Sequence, residues 1–181
     1  MPATDDAQAA FARYVLPEVD VLYRVGLSIT GNSADAEDLV QDTMLRAFRS
    51  IERFDGRHPR AWLLTIMRNA HINRVRRRRP SLLNDPDNFA DRGAGIADDA
   101  AGPEEVVMDR QFDSVVEDAH RALPEKFREV IDLVDIAGLS YDDAAAVLEV
   151  PKGTVMSRLH RGRKRIRKSL ADTGMQKGVR P

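Results

Sequence analysis

One run constrains this chain more than any other. Ala36, Leu39, Val40, Thr43, Met44, Ala47, Phe48 and Ile51 recur at intervals of three and four without a miss, a spacing that lines one face of a helix. A single apolar stripe must be buried against others, and the flanking sequence supplies them. Val15, Val19, Leu22, Tyr23, Gly26 and Leu27 form a stripe that stops at Thr30-Gly31-Asn32, where Gly31 can adopt the left-handed conformation that ends helices. Asn32 or Ser33 then caps the next helix, and Asp35, Glu37 and Asp38 sit in its first turn at the positive end of the dipole. Phe54-Asp55-Gly56-Arg57-His58-Pro59 is a loop, and Pro59 suits the first turn of a third helix. That helix carries Trp62, Leu63, Ile66, Ala70 and Val75, enters a run of arginines and stops at Pro80. Three helices around a small core make a first domain.

From Pro80 to about Pro103 the sequence turns to Asp, Asn, Gly, Ala and Pro without periodicity, the composition of a linker. Val106 to Leu123 is then expected to be helical. Pro124 restarts a helix through Phe127, Val130, Ile131 and Val134 that Gly138 ends, and Ser140 caps a short helix, Tyr141 to Leu148. A break at Glu149-Val150-Pro151 precedes Gly153-Thr154-Val155-Met156-Ser157-Arg158-Leu159, and the pair has the shape of a helix-turn-helix. The expected fold is therefore all-α: two small helical domains, residues 1–80 and 106–181, joined by a flexible acidic linker at 81–105, the second domain being the helix-turn-helix.

Composition excludes several functions. With 181 residues, 43% of them hydrophobic, the chain can bury one ordinary core or two small ones. No stretch approaches the roughly 18 consecutive apolar residues of a membrane span, and no basic stub with an apolar run opens the chain, so a cytosolic protein without a membrane partner is expected. There is no cysteine, which rules out disulfides, thiolate metal sites and thiol catalysis. The four histidines, His58, His71, His120 and His160, are scattered, so neither a metal nor a cofactor is expected. Asp35, Glu37, Asp38 and Asp42 are the nearest approach to a carboxylate site, but helix capping accounts for them, and an enzyme acting on nucleic acid is disfavoured.

The net charge of −1 conceals strong segregation. Arg68, Arg74, Arg76, Arg77, Arg78 and Arg79 form one basic cluster, Lys152 to Lys168 another, and an acidic stretch from Asp85 to Asp118 lies between them. The last helix presents Lys152, Met156, Ser157, His160, Arg161 and Lys164 outward. In a helix-turn-helix the start of this helix enters the major groove, where Arg bonds two acceptors on guanine and Ser or His reads other edges. Arg163, Arg165, Arg167 and Lys168 are placed for phosphates. A basic helix also serves as a solvated face or binds anionic lipid, but the apolar stripe of Val155, Leu159 and Ile166 is narrow, and a membrane-binding helix needs no preceding helix and tight turn.

Asp35-Ala36-Glu37-Asp38-Leu39-Val40-Gln41-Asp42-Thr43, Pro59-Arg60-Ala61-Trp62-Leu63-Leu64-Thr65-Ile66, Leu123-Pro124-Glu125-Lys126-Phe127-Arg128 and Gly153 through Arg161 together resemble a bacterial RNA polymerase sigma factor of the extracytoplasmic-function type. The resemblance implies a non-enzymatic subunit that binds core RNA polymerase through its beta-prime clamp and beta flap, and that recognises and melts promoter DNA. It places clamp binding on Asp38, Gln41, Asp42, Leu45 and Arg49. It places recognition of the minus-ten element on Phe54, Asp55, Arg57 and His58 of the loop and Arg68, Asn69, Asn73 and Arg74 of the third helix, with Asn69 the leading base reader. Trp62 is either a stacking platform or part of the core. For the minus-35 element it implies base contacts from Ser157, His160 and Arg161 and backbone contacts from Lys152, Thr154 and Arg158, with Lys164 and Arg165 alongside; Met156 departs from a position often basic in relatives. An anti-sigma factor, where one exists, would have to wedge between or wrap the two domains. The acidic linker either threads a basic polymerase channel or is a soluble tether. The competing reading is a stand-alone helix-turn-helix regulator, which would need an enclosed ligand pocket or a dimer surface in the first domain.

Overall fold

The computed structural model describes residues 2–78 and 114–173, and every regular element among them is helical. The expected linker at 81–105, the start of the helix expected from Val106, and the side chains of Arg78 and Arg79 lie outside the described residues.

The N-terminal bundle has four helices where three were expected. Helix α1, Pro2–Tyr14, precedes the anticipated stripe. It is tied down by buried Ala7, by Val15 with no exposure at all, and by Phe11, whose ring meets Phe48 edge-on at 5.4 Å. Pro17 breaks what had read as one helix from Val15: Leu16–Glu18 form a 3-10 turn, and α2 runs Val19–Thr30. Gly31 ends it at φ 76°, its N–H bonded to Leu27 O. Asn32 caps α3, Ser33–Ser50, its Oδ1 accepting the Asp35 N–H at 2.8 Å. The stripe behaves as its spacing demands: Ala36, Leu39, Val40, Thr43 and Ala47 are buried. Thr43 is tolerated there because its hydroxyl donates to Leu39 O at 2.7 Å. A 3-10 turn, Ile51–Arg53, and the loop then lead into α4, Pro59–Arg78, which buries Ala61, Leu63, Leu64, Met67 and Ala70.

The second bundle begins with α5, residues 114–121, followed by α6, Glu125–Ile131. Instead of ending at Gly138 as plain α-helix, α6 continues into a single π-type turn, Asp132–Ile136, closed by Ala137 N–H to Asp132 O at 2.8 Å. Ser140 caps α7, Tyr141–Leu148, accepting the Asp143 N–H. Glu149 turns the chain at φ 55°, and α8 runs Lys152–Asp172. Val155, Leu159 and Gly162 face inward. A β-carbon on Gly162 would lie 2.8 Å from Ile131 Cδ1, so α6 and α8 cross closely at this glycine and a larger residue must displace the Ile131 side chain.

The two bundles are not merely tethered. Their buried apolar residues form one continuous cluster. Val25, Ile29, Leu64 and Met67 of the first meet Leu133 and Leu148 of the second around a small cavity that Arg68, Glu129 and Asp132 also line.

Candidate nucleic-acid interface

The outer face of α8 follows from helical spacing alone. Once Val155, Leu159 and Gly162 turn inward, Lys152, Met156, Ser157, His160, Arg161, Lys164 and Arg165 are left exposed, with Thr154 and Arg158 half-buried at the edges. Pro151 enters the helix in an extended conformation and its side chain makes no capping hydrogen bond; its carbonyl instead accepts the Thr154 N–H at 2.8 Å. Two basic residues are partly committed within the bundle: Lys152 Nζ lies 2.8 Å from Asp142 Oδ2, and Arg163 grips Asp135 with two nitrogens. That hydrogen bond raises the Arg163 pKa further. Arg163, expected to face phosphate, is thus tied to α8's own bundle.

A second assembly surrounds the loop before α4. Arg53, Phe54, Asp55, Arg57, His58, Ala61, Trp62 and Thr65 line an open cleft, and Asp143, Ala146 and Val147 of α7 wall its far side. Asp55 Oδ1 accepts the Arg57 N–H at 2.9 Å, which shapes the loop as an Asx turn. His58 sits at φ 47°, with Nδ1 2.9 Å from Asp143 Oδ1. Phe54 stacks on Trp62 with centroids 4.3 Å apart and takes the edge of Tyr14 at 5.5 Å. Both rings pack against the core, so Trp62 belongs to the packing and one face of Phe54 is already covered. Asn69 and Asn73 are exposed, and their spacing continues the stripe of Trp62 and Thr65 along α4. Arg68 and Arg74 are engaged: Arg68 Nε reaches Glu129 Oε1 at 3.2 Å, and Arg74 Nη2 donates to Asp38 O at 2.9 Å. Burial raises the Glu129 pKa, against the pull of Arg68.

The third assembly is the outer face of α3. Asp38, Gln41, Leu45 and Arg49 are exposed, while Asp42 is half-buried and pairs with Arg46 at 2.9 Å. Leu45 is 56% exposed and Phe48, beside it, 42%. Phe48 belongs to the stripe expected to be buried, but its place late in that stripe leaves part of its ring in solvent. Arg53 and Thr65 also line the cleft without belonging to any of the expected site residues, although Thr65 lies one turn before Asn69. Among the described residues no three His, Cys, Asp or Glu side chains are placed to hold a metal ion, and no helix is long and apolar enough to cross a membrane.

Residues 14–80 match the family described as Sigma-70 region 2, and residues 114–166 match Sigma-70, region 4. The chain is 34% identical to the ECF RNA polymerase sigma factor SigW of Bacillus subtilis over 91% of either chain. It is a member of the extracytoplasmic-function sigma factor family. With SigE of Mycolicibacterium smegmatis it shares 37% identity over 93% of its own length, spanning 65% of that protein. Two solved structures have the same fold. RpoE of Bartonella quintana, in complex with the anti-sigma factor NepR, superposes with a TM-score of 0.69 at 30% identity, covering 89% of this chain and 96% of that one. CnrH, in complex with the cytosolic domain of CnrY, gives 0.65 at 28%, covering 93% and 91%. Region 2 thus comprises α2 to α4 and carries the cleft and the α3 face, while region 4 comprises α5 to α8 and carries the exposed basic helix. Membership in this family sets aside the stand-alone regulator.

Proposed function

We propose that this sigma factor acts in the cytoplasm as a non-catalytic subunit of RNA polymerase, with its three surfaces divided by task. The outer face of α3, with Leu45 and Phe48 among Asp38, Gln41, Asp42 and Arg49, engages the polymerase clamp, where exposed apolar side chains among charges add affinity and the charges set orientation. The loop and α4 hold the melted minus-ten strand. Asn69 and Asn73 offer paired donors and acceptors to base edges, Arg57 and Arg68 attract the backbone, and the cleft beside Phe54 receives an unstacked base. On α8, Ser157, His160 and Arg161 read the minus-35 major groove, while Lys152, Thr154, Arg158, Lys164 and Arg165 hold phosphates. The division 1–80, 81–105 and 106–181 belongs to the same proposal, with the acidic segment joining the two readers. Because RpoE of Bartonella quintana was captured with the anti-sigma factor NepR, an anti-sigma factor is the further partner proposed.

The observation that carries this assignment is the exposed face of α8, whose cations and polar groups fall on the side left free by packing. The test is reconstitution: the chain mixed with bacterial core RNA polymerase is expected to co-elute with it and to start transcripts at sites sharing two spaced elements. Sequence-specific DNA binding without polymerase association would refute the assignment.

A further inference from the structure

On the outer face of α8 one side chain can make neither of the contacts given to its neighbours. Met156 is 50% exposed, and among the described residues of α8 it is the one large apolar side chain left in solvent, since Val155 and Leu159 are buried and Ile166 and Leu170 half-buried. A single exposed apolar residue is ordinary on a protein surface. Here the surroundings make it informative. One turn earlier on the same stripe, Lys152 is drawn aside, its Nζ 2.8 Å from Asp142 Oδ2. Gly153, also on this face, has no side chain, and a β-carbon there would meet nothing within 4 Å. The flank of Met156 toward the helix start is therefore open to an incoming base edge. Ser157 donates its hydroxyl proton to Thr154 O at 3.0 Å, which holds this short side chain close to the backbone. His160 and Arg161, both exposed, follow one turn later. The start of the reading helix thus offers DNA an apolar group before its imidazole and guanidinium.

Methionine has no hydrogen-bond donor and only a weak acceptor, so it can hold neither a phosphate nor the acceptor pair of guanine. The apolar feature of the major groove is the thymine methyl group. Resting on the assignment of α8 to the minus-35 element, we propose that Met156 is a specificity-determining residue that reads the C5-methyl of one thymine. The selection works in both directions. A guanine or cytosine edge in that place sets polar atoms against a thioether that cannot replace their water. The thymine methyl gains contact with the flexible side chain and leaves water in the same step. Met156 selects by apolar contact where Arg161 selects by hydrogen bonds.

The decisive experiment separates the methyl from the rest of the base. On a promoter mapped with polymerase reconstituted with this chain, each thymine of the minus-35 element, on either strand, is replaced in turn by deoxyuridine. That base lacks the methyl and keeps every hydrogen-bonding group. Binding of the reconstituted polymerase is read by competition against the parent promoter. One replacement is expected to weaken binding about fourfold, the worth of burying one methyl group. Met156→Ala is expected to weaken binding to the parent promoter to a similar extent, and to bind that deoxyuridine promoter no worse than the parent promoter. Met156→Leu, apolar and of similar volume, is expected to keep the dependence on the methyl. Because Met156 faces solvent, both variants leave the core of the bundle intact. A deoxyuridine loss that persists undiminished in Met156→Ala would overturn the proposal, as would an element in which no thymine methyl matters. Polymerase that ignores every base substitution in the upstream element refutes the placing of α8 on it, whereas polymerase that responds to base substitutions but to no methyl removes only the Met156 reading.

Discussion

At Gly162 the tolerance is set by two neighbours, Ile131 Cδ1 at 2.8 Å and Phe127 Cβ at 3.4 Å from where a β-carbon would sit. Gly162→Val forces both aside and is expected to cost about 1–3 kcal/mol, read as a lower denaturant midpoint with unchanged helix content at low denaturant. One position earlier, Arg161 faces solvent. Arg161→Ala is expected to lose about 1–3 kcal/mol of discrimination at one base pair of the minus-35 element, measured by competition between promoter variants, while association with polymerase is unchanged. The exposure of His160, Arg161 and Lys164 was legible in the sequence, because it needs only the helical period and the inward residues Val155 and Leu159. The role of Gly162 was not, although a signal existed: a lone glycine inside a helix costs about 1 kcal/mol against alanine and asks for a packing reason.

For α3 the spacing of apolar residues was enough to give most of its buried face, Phe48 excepted, and residue type narrowed its cap to Asn32 or Ser33, of which Asn32 serves. Its outer face is where function and folding separate. Leu45→Asp is expected to leave thermal stability nearly unchanged, since Leu45 is 56% exposed, but to weaken co-elution with core polymerase several-fold, with binding to minus-35 duplex retained. Full assembly of this variant would remove the clamp assignment from α3. Two features eluded the same reasoning. Helix α1 hides because acidic and small residues dilute its apolar positions, so Ala7, Phe11 and Val15 gain meaning only once Phe48 is known to lie opposite. The π-type turn hides because one extra residue in a turn leaves no mark on composition; its hydrophobic residues still satisfy a helical pattern.

Docking of the two domains lay furthest from the sequence. Periodicity identifies which face of a helix is buried but not which partner buries it, and the Arg68–Glu129 contact joins residues 61 positions apart. The sequence had supplied two charged reading heads, and charge pairs between them have no local signature. The contact carries a pH signature of definite sign. Glu129 is raised above its ordinary 4.5, chiefly by burial, so its protonated form favours the folded, docked chain. That contribution is complete below 4.5 and is lost as pH rises through the raised folded value. Glu129→Gln, neutral throughout, is therefore expected to gain stability relative to the parent as pH rises from 4 toward 7, seen as a widening gap between urea midpoints; a gap independent of pH would contradict the burial. The π-type turn gives this arrangement an evolutionary handle. Asp132–Ile136 holds one residue more than an α-helix needs, and each residue turns a helix by about 100°. Losing a single codon there would swing Ala137 away from Arg60 while leaving the outward residues of α8 as encoded, so the angle between the two bundles and the chemistry of the basic helix can change independently.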